Sequence, residues 1–287
     1  DTNLKCNNMT VATGGEFDGG SDTLTVSGDF TTSGGLLGAS CLTLDGSAEY
    51  AAQTSATTWG HTTAFTIEFW MNHTSGASGN DVIFDLYNDS NNNRIYIVIN
   101  GGFFEFEVRD SGGSEHKVST SVNEHASLED SKWHHVALTY NSSNTNTHQF
   151  YVDGKLVHEG SHGGAGTRSS ESMKLWFGVD NSKSGTYFLG SLDELRVWSD
   201  VRTADEIRVN MFKSGYANLK LADGTTASYA GLESAYNFDE GTTSTAASLE
   251  DGTPNTARNL LLYDAGGLET SGLWAGAGTF TYGTSTL

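Results

Sequence analysis

Phe150-Tyr151-Val152-Asp153-Gly154-Lys155-Leu156-Val157 is the stretch on which the fold turns. Its flanks are β-formers, and Asp-Gly supplies the two positive φ angles that a two-residue type I′ turn requires, so the octapeptide reads as a β-hairpin. The same two-residue apolar period spreads outward from it. Phe65-Thr66-Ile67-Glu68-Phe69 and Ile95-Tyr96-Ile97-Val98-Ile99 alternate, as does Phe104-Glu105-Phe106-Glu107-Val108, each bounded by Gly, Asn, Asp or Ser. Strands that alternate bury one face only, which predicts antiparallel sheets packed face to face. One helix interrupts the pattern, from Arg202 to Phe212. Thr203 is its expected N-cap, Glu206 completes a capping box, and Ile207, Met211 and Phe212 form its apolar stripe before the chain leaves at Gly215.

Composition fits this reading and removes several functions. Of 287 residues, 36% are hydrophobic and 11% aromatic, enough for a core when strands bury alternate side chains, which argues against a disordered chain. Thirty-five Asp and Glu against 15 Lys and Arg give a formal charge of -20, so a phosphate backbone is repelled and nucleic acid is excluded as a partner. No apolar run of about 18 residues and no basic-then-apolar leader is present, so membrane insertion is not expected. The missing initial Met suits a mature or trimmed product. Cys6 and Cys41 lack metal-ligand spacing and are either one disulfide or two free thiols. His134 and His135 are neighbours on a strand and point to opposite faces, which argues against a shared zinc ion.

Two regions are expected. Residues 1–36 place single apolar beads (Leu4, Met9, Val11, Phe17, Leu24, Val26, Phe30) among Gly, Ser, Thr and Asp, and Leu24 to Thr31 has the look of a β-solenoid rung. Such an arm must pack on the sandwich, on a preceding segment or on a sister chain, the last making a homo-oligomer; a plain edge strand is the alternative. Residues 37–287 form the sandwich, with a core over 37–214 and a closing segment over 219–287.

Five phrases in order then suggest a family: Leu42-Thr43-Leu44-Asp45-Gly46-Ser47-Ala48-Glu49-Tyr50, Phe65 to Met71, Trp133-His134-His135-Val136-Ala137-Leu138-Thr139-Tyr140, Phe150 to Lys155, and Gly190-Ser191-Leu192-Asp193-Glu194-Leu195-Arg196-Val197-Trp198 with its following helix. Across residues 42 to 212 the chain resembles the laminin-G-like jelly roll, a branch of the concanavalin A-like lectin and glucanase superfamily that includes the pentraxins. Tyr236-Asn237-Phe238-Asp239-Glu240-Gly241, with Trp274 downstream, resembles a strand these domains carry near their beginning. Here it either closes the sandwich from the C-terminal side, which the length of the chain favours, or opens a truncated repeat.

The resemblance implies an all-β antiparallel jelly roll, with one short helix after the last family strand and the solenoid-like arm in front, acting outside the cell as a non-catalytic binding or adhesion module. Its partner would be a glycan, held with the help of Ca²⁺. Asp45 and Asp193 stand where related sandwiches hold a structural ion, and Asp89 and Asn91, with Asn88 and Asn92, face Asp180 and Asn181 in a pentraxin-like loop pair. Ordinary turn chemistry is the competing explanation for these Asp and Asn residues. Stacking of sugar C–H faces on rings points to Trp59, Tyr87 and Tyr187, with Trp176 and Trp198 also to be inspected, whereas strand patterning assigns Trp70, Trp133 and Trp198 to the core. The glycanase signature Glu-x-Asp-x-x-Glu is absent. Glu105 and Glu107 share a strand face, but hydrolase and lyase chemistry rank well below binding. The second reading is a structural virion-surface protein, a capsid decoration or tail component that displays the jelly roll as a head. The expected location is extracellular, on a cell surface or on a virion surface.

Overall fold

Two-residue periodicity becomes two antiparallel sheets laid face to face. A computed structural model describes residues 4–6, 9–11, 24–26, 30–32, 40–60, 63–74, 80–88, 90, 92–121, 128–142, 148–160, 166–185, 187–214, 231–238, 248–249, 251, 253, 258–264, 267–268 and 274–276. Short strands β1 (Leu4–Cys6), β2 (Met9–Val11), β3 (Leu24–Val26) and β4 (Phe30–Thr32) come first. The sandwich follows with β5 (Ser40–Asp45), β6 (Tyr50–Gln53), β7 (Thr57–Trp59), β8 (Ala64–Thr74), β9 (Asn80–Tyr87), β10 (Ile95–Asn100), β11 (Phe103–Arg109) and β12 (Glu115–Ser121). Then come β13 (Asp130–Asn141), β14 (His148–Val152), β15 (Lys155–Gly160), β16 (Glu171–Phe177), β17 (Leu189–Trp198) and the helix α1 (Ala204–Asn210). The chain ends in β18 (Leu232–Tyr236), β19 (Ser248–Leu249), β20 (Leu260–Asp264), β21 (Gly267–Leu268) and β22 (Trp274–Gly276).

Among the described residues one sheet has ten strands, in the order β12-β11-β10-β9-β16-β6-β20-β19 with β7 and β21 attached. The other has eight, in the order β15-β14-β13-β8-β17-β5-β22 with β18 attached to β17. The C-terminal segment thus sends strands into both sheets. Among the first four strands, β1 pairs with β3 and β2 with β4, both parallel, with Leu4 opposite Leu24 and Met9 opposite Phe30.

The expected hairpin is β14 and β15, with Asp153 at φ +50° and Gly154 at φ +72°. A Cβ on Gly154 would also meet Arg208 Cγ at 2.6 Å, so glycine serves both the turn and the packing of α1 against it.

Between the sheets lie the inward residues of each alternating strand. Ile67, Phe69 and Met71 of β8 and Val136 and Leu138 of β13 face Phe84, Leu86, Ile97, Phe106, Leu175 and Phe177 of the other sheet, all buried. Each such side chain contributes about 1.5–3 kcal/mol by leaving water. Rings interlock across the gap: Phe104 of β11 stacks on Phe150 of β14 at 4.7 Å, and Phe65 meets Phe106 edge-on at 6.1 Å. His73 of β8 and Asp81 of β9 tie the sheets with a 2.7 Å bond.

The outer face of the eight-stranded sheet is covered by α1, whose capping box joins Thr203 and Glu206 as the sequence leads one to expect. Ile207 packs on Ala137 and Tyr151, and Trp70 Nε1 donates to the Met211 carbonyl at 2.6 Å. Beneath the helix Glu68 accepts from Trp198 Nε1 at 2.9 Å and lies 3.4 Å from His135 and 3.5 Å from Arg196. Arg196 donates in turn to Glu194 and to the carbonyls of Asn210 and Lys213.

Burial alone would raise the Glu68 pKa, but the bonds from His135 and Trp198 and the Arg196 charge outweigh it and hold the carboxyl at about 2, against an ordinary 4.5. A depressed carboxylate stabilises the fold above its unfolded pKa and loses that effect as pH falls toward 2, a contribution on the order of 3 kcal/mol at neutral pH. Glu68→Gln should therefore be several kcal/mol less stable than wild type at pH 7, with the gap narrowing below pH 4. Urea titrations of both proteins across that range check it; a gap that does not change with pH contradicts the assignment.

Candidate functional site

The outer face of the ten-stranded sheet has no helix over it among the described residues. Register fixes which side chains stand there. Lys117 is opposite Glu107, Glu107 opposite Tyr96, Tyr96 opposite Asp85, Asp85 opposite Trp176, and Trp176 opposite Ala52. These residues form one row across β12, β11, β10, β9, β16 and β6, pointing away from the core residues that alternate with them. Tyr87 and Lys174 form the next row on one side, paired in register, and Tyr50 and Tyr263 stand opposite each other on the other side.

The rings make one packed cluster. Trp176, Ala52 and Val179 are its floor, and Tyr50, Tyr87, Tyr187 and Tyr263 pack on them while staying partly open to solvent. Tyr50 stacks on Tyr263 at 4.9 Å with an interplanar angle of 7°, and Tyr187 approaches Tyr50 at 6.4 Å. The Arg94 guanidinium lies 4.0 Å from the Tyr96 ring centre and 5.2 Å from that of Tyr87; Lys174 Nζ lies 5.2 Å from that of Trp176.

Arg94 is held by a two-pronged ion pair to Asp85, at 2.7 and 2.9 Å, and the Asn181 N–H completes the Asp85 carboxylate at 2.9 Å. Burial pushes the Asp85 pKa up even against the pull of Arg94. For Arg94, burial acts downward, but its bond and attraction to Asp85 carry it above the usual guanidinium value. Burial also raises the Tyr96 phenol, and burial followed by the nearness of Tyr263 and Tyr187 raises that of Tyr50, so the Tyr96 and Tyr50 hydroxyls remain protonated hydrogen-bond donors at neutral pH. Flat rings beside hydroxyl, guanidinium and carboxylate groups can stack on an apolar ring face and hydrogen-bond at its rim.

Several residues singled out in the sequence meet here. Tyr87 and Tyr187 belong to the cluster, as does Trp176. Asp180 and Asn181 lie on the connection that folds over Asp85. There Asp180 Oδ1 accepts from Ser182 Oγ at 2.7 Å and from the Lys183 N–H at 2.9 Å. Asn88 donates to Asn92 Oδ1 at 3.1 Å and to Glu171. Asp89 and Asn91 lie outside the described residues.

Others do not meet the expectation. Trp59 is 0% exposed and cannot stack on a ligand: it stands in β7 opposite Glu171, with the Arg258 guanidinium 4.1 Å from its ring centre. Asp45 and Asp193 do not converge either. Asp45 is opposite Leu189 and Leu42 opposite Leu192, which leaves the two Asp residues four positions apart along β17, roughly 13 Å. Slight burial acts upward on the Asp45 carboxyl, but bonds from the Ser47 hydroxyl and the N–H groups of Ser47 and Ala48 hold its pKa below the usual range, which is turn chemistry. Asp193 is buried and accepts from the Glu194 N–H at 2.9 Å. Among the described residues no three His, Cys, Asp or Glu side chains are grouped to hold a metal. Cys41 is a buried free thiol, its pKa pushed by burial and by the Asp193 charge up to about 11.

The carboxylates Glu105 and Glu107 are engaged by Lys117 at 3.2 Å and Arg109 at 2.5 Å, a charged ladder on the wet side of the sheet. Tyr50, Tyr96, Tyr263, Arg94 and Lys174 escaped sequence reasoning. For Tyr96 the signal was available in its outward position within Ile95-Tyr96-Ile97. For Tyr50 and Tyr263 it was not, since only the pairing of β6 with β20 brings them together.

A laminin-G-type family model, described as the concanavalin A-like lectin and glucanase superfamily, matches residues 45–208. No curated protein matches the sequence. Among solved structures, a candidate carbohydrate binding protein from Bacteroides ovatus superposes with a TM-score of 0.50 at 19% identity, over 77% of this chain and 61% of its own. A heptameric pentraxin from Limulus polyphemus gives 0.43 at 13% identity over 59% and 78%. The binding domain of botulinum neurotoxin serotype D gives 0.45 at 14% over 59% and 40%. This chain therefore spans under two thirds of the Bacteroides and toxin chains, and at such identities the likeness is one of fold.

The Asp85–Arg94 pair yields a stability test. Arg94→Met leaves a buried carboxylate without its counter-charge and should cost about 3–5 kcal/mol, whereas Asp85→Asn combined with Arg94→Met should recover most of that loss. Urea unfolding of the single and double variants measures it. Equal losses in the two would show that the ion pair does not organise the face.

Proposed function

From the premise that the chain belongs to the concanavalin A-like lectin and glucanase superfamily, we propose that it is a non-catalytic module that binds carbohydrate on the outer face of its ten-stranded sheet. The observation behind this reading is the half-open tyrosine cluster fixed on strands around Trp176, with Arg94 immobilised beside it. Strand-borne rings are pre-organised, so a sugar that stacks on them orders little of the protein on binding. The likeness to a candidate carbohydrate binding protein supports the same reading. Binding without catalysis is supported by the pairing of Glu105 and Glu107 with cations.

No helix among the described residues is long and apolar enough to cross a membrane. The acidic composition suits display in salt-containing water outside a cell. Calcium assistance is a separate proposal, confined to the loop pair. Asp180 and Asn181 offer one carboxylate and one amide, and a shell of six to eight oxygens would need Asp89 and Asn91 as well. The tyrosine face needs no ion.

Isothermal titration against soluble polysaccharides tests both. Tyr87→Ala and Tyr187→Ala should each weaken binding about fivefold, the loss of roughly one ring contact, with the melting temperature kept. If the tyrosine face alone binds, EGTA leaves the affinity unchanged, whereas calcium assistance adds a loss in EGTA to the tyrosine effects. A tenfold loss in EGTA, with the tyrosine variants unaffected, would move the site to the calcium loops; no binding to any polysaccharide would refute the carbohydrate reading.

A further inference from the structure

Resting on the carbohydrate reading, the geometry points to a more specific ligand: we infer that the face takes an internal segment of an uncharged, linear polysaccharide lying across the strands. The rings fall into two stations. Tyr96 and Tyr87, with Arg94, stand on β10 and β9, while Tyr50 and Tyr263, with Tyr187 beside them, stand on β6 and β20. Trp176 on the intervening strand β16 belongs to the floor that joins them, at 7% exposure. From β10 to β20 the sheet order is β10-β9-β16-β6-β20. Four strand spacings of about 4.8 Å make roughly 19 Å, and a pyranose ring is about as long as one spacing, so the two stations are bridged by roughly four sugars. A single terminal sugar would occupy one station and leave the other unused.

The charge around the stations selects against acidic chains. Asp85 and Glu107 stand opposite Tyr96 on its two neighbouring strands, and the Arg94 guanidinium is already held in a two-pronged bond to the buried Asp85. A uronate or sulfate would gain no counter-charge from Arg94, which Asp85 already neutralises, and the one Lys174 beside Trp176 is set against the acidic balance of the whole chain. Hydroxyl groups of a neutral sugar can instead hydrogen-bond to the tyrosine hydroxyls of the two stations.

A screen of neutral and acidic polysaccharides, followed by titration with neutral oligosaccharides of one to six units from the best binder, tests the inference. Affinity should rise at least tenfold from one to four units and then level off. Tyr96→Ala and Tyr50→Ala, one at each station, should each lower the affinity of the tetramer about fivefold, and each should flatten the dependence on length. Quenching of tryptophan fluorescence offers a second readout at Trp176. Glycan binding with an affinity independent of length, tighter binding of polyuronates than of neutral chains, or sensitivity at one station only would overturn the inference while leaving carbohydrate binding in place. Failure of every polysaccharide to bind would instead remove the reading on which it rests.

Discussion

A two-sheet sandwich buries one face of each sheet against the other, and the arrangement of this molecule depends on what becomes of the two remaining faces. On the eight-stranded sheet the outward side chains of neighbouring strands include Glu68, His135 and Arg196, all buried. Such charges are tolerated away from water only when paired and hydrogen-bonded, and the pairing here needs more than the sheet. Arg196 reaches the carbonyls of Asn210 and Lys213 at the end of α1, and Trp70 reaches that of Met211. The helix is thus the lid of a polar network, held by its own orphan carbonyls, and the hairpin turn at Gly154 is shaped to receive it.

With that face closed, the opposite one is left to water, and its side chains show how the sequence meets the requirement. A wholly charged face would be soluble and featureless, as it is over β11 and β12, where Glu105, Glu107, Arg109 and Lys117 form a ladder. Over β9, β16, β6 and β20 the outward positions instead include Tyr87, Trp176, Tyr50 and Tyr263, among Asp85, Lys174 and Ala52. Rings partly exposed on rigid strands stabilise the fold little for the surface they present, which is the ground for reading the patch as a contact site under the proposed function. Arg94 and Asp85 fix the patch by joining two strands with a pair of parallel bonds.

Much of this was legible in the chain. The Asp153-Gly154 turn, the alternating strands and the Thr203–Glu206 cap are local codes, read by residues within a few positions of one another, and the structure repeats them. Trp59 was misread because its surroundings in sequence, Ser, Thr and Gly, describe a loop. Burial comes from Arg258, far along the chain, which lies on the ring and donates to the Thr58 carbonyl. Asp45 and Asp193 were paired by their places in family phrases, yet one register relation, Asp45 opposite Leu189, separates them. Tyr50 and Tyr263 are the converse case: nothing near either one signals a site until β20 pairs with β6. Local pattern specifies elements, and pairing between distant strands decides which side chains become neighbours.

The net charge gains meaning from the same placement. Four of the arginines, Arg168, Arg196, Arg202 and Arg258, are buried, and three of them lie on a ring: Arg168 on Phe65, Arg202 on Trp198 and Arg258 on Trp59. The planar guanidinium groups of Arg196 and Arg258 each reach two carbonyls at once, a task for which an ammonium is poorly shaped. Among the described residues five Lys and Arg side chains are buried as internal ties, against six Asp and Glu, so burial leaves the acidic balance of the surface close to the formal charge of -20. The tyrosine face presents rings that can stack, in a chain whose overall charge repels anions. On the proposed carbohydrate reading, selection for uncharged, hydroxyl-rich partners would draw on that acidic balance and on the Arg94–Asp85 pair, which offers a ligand no free charge.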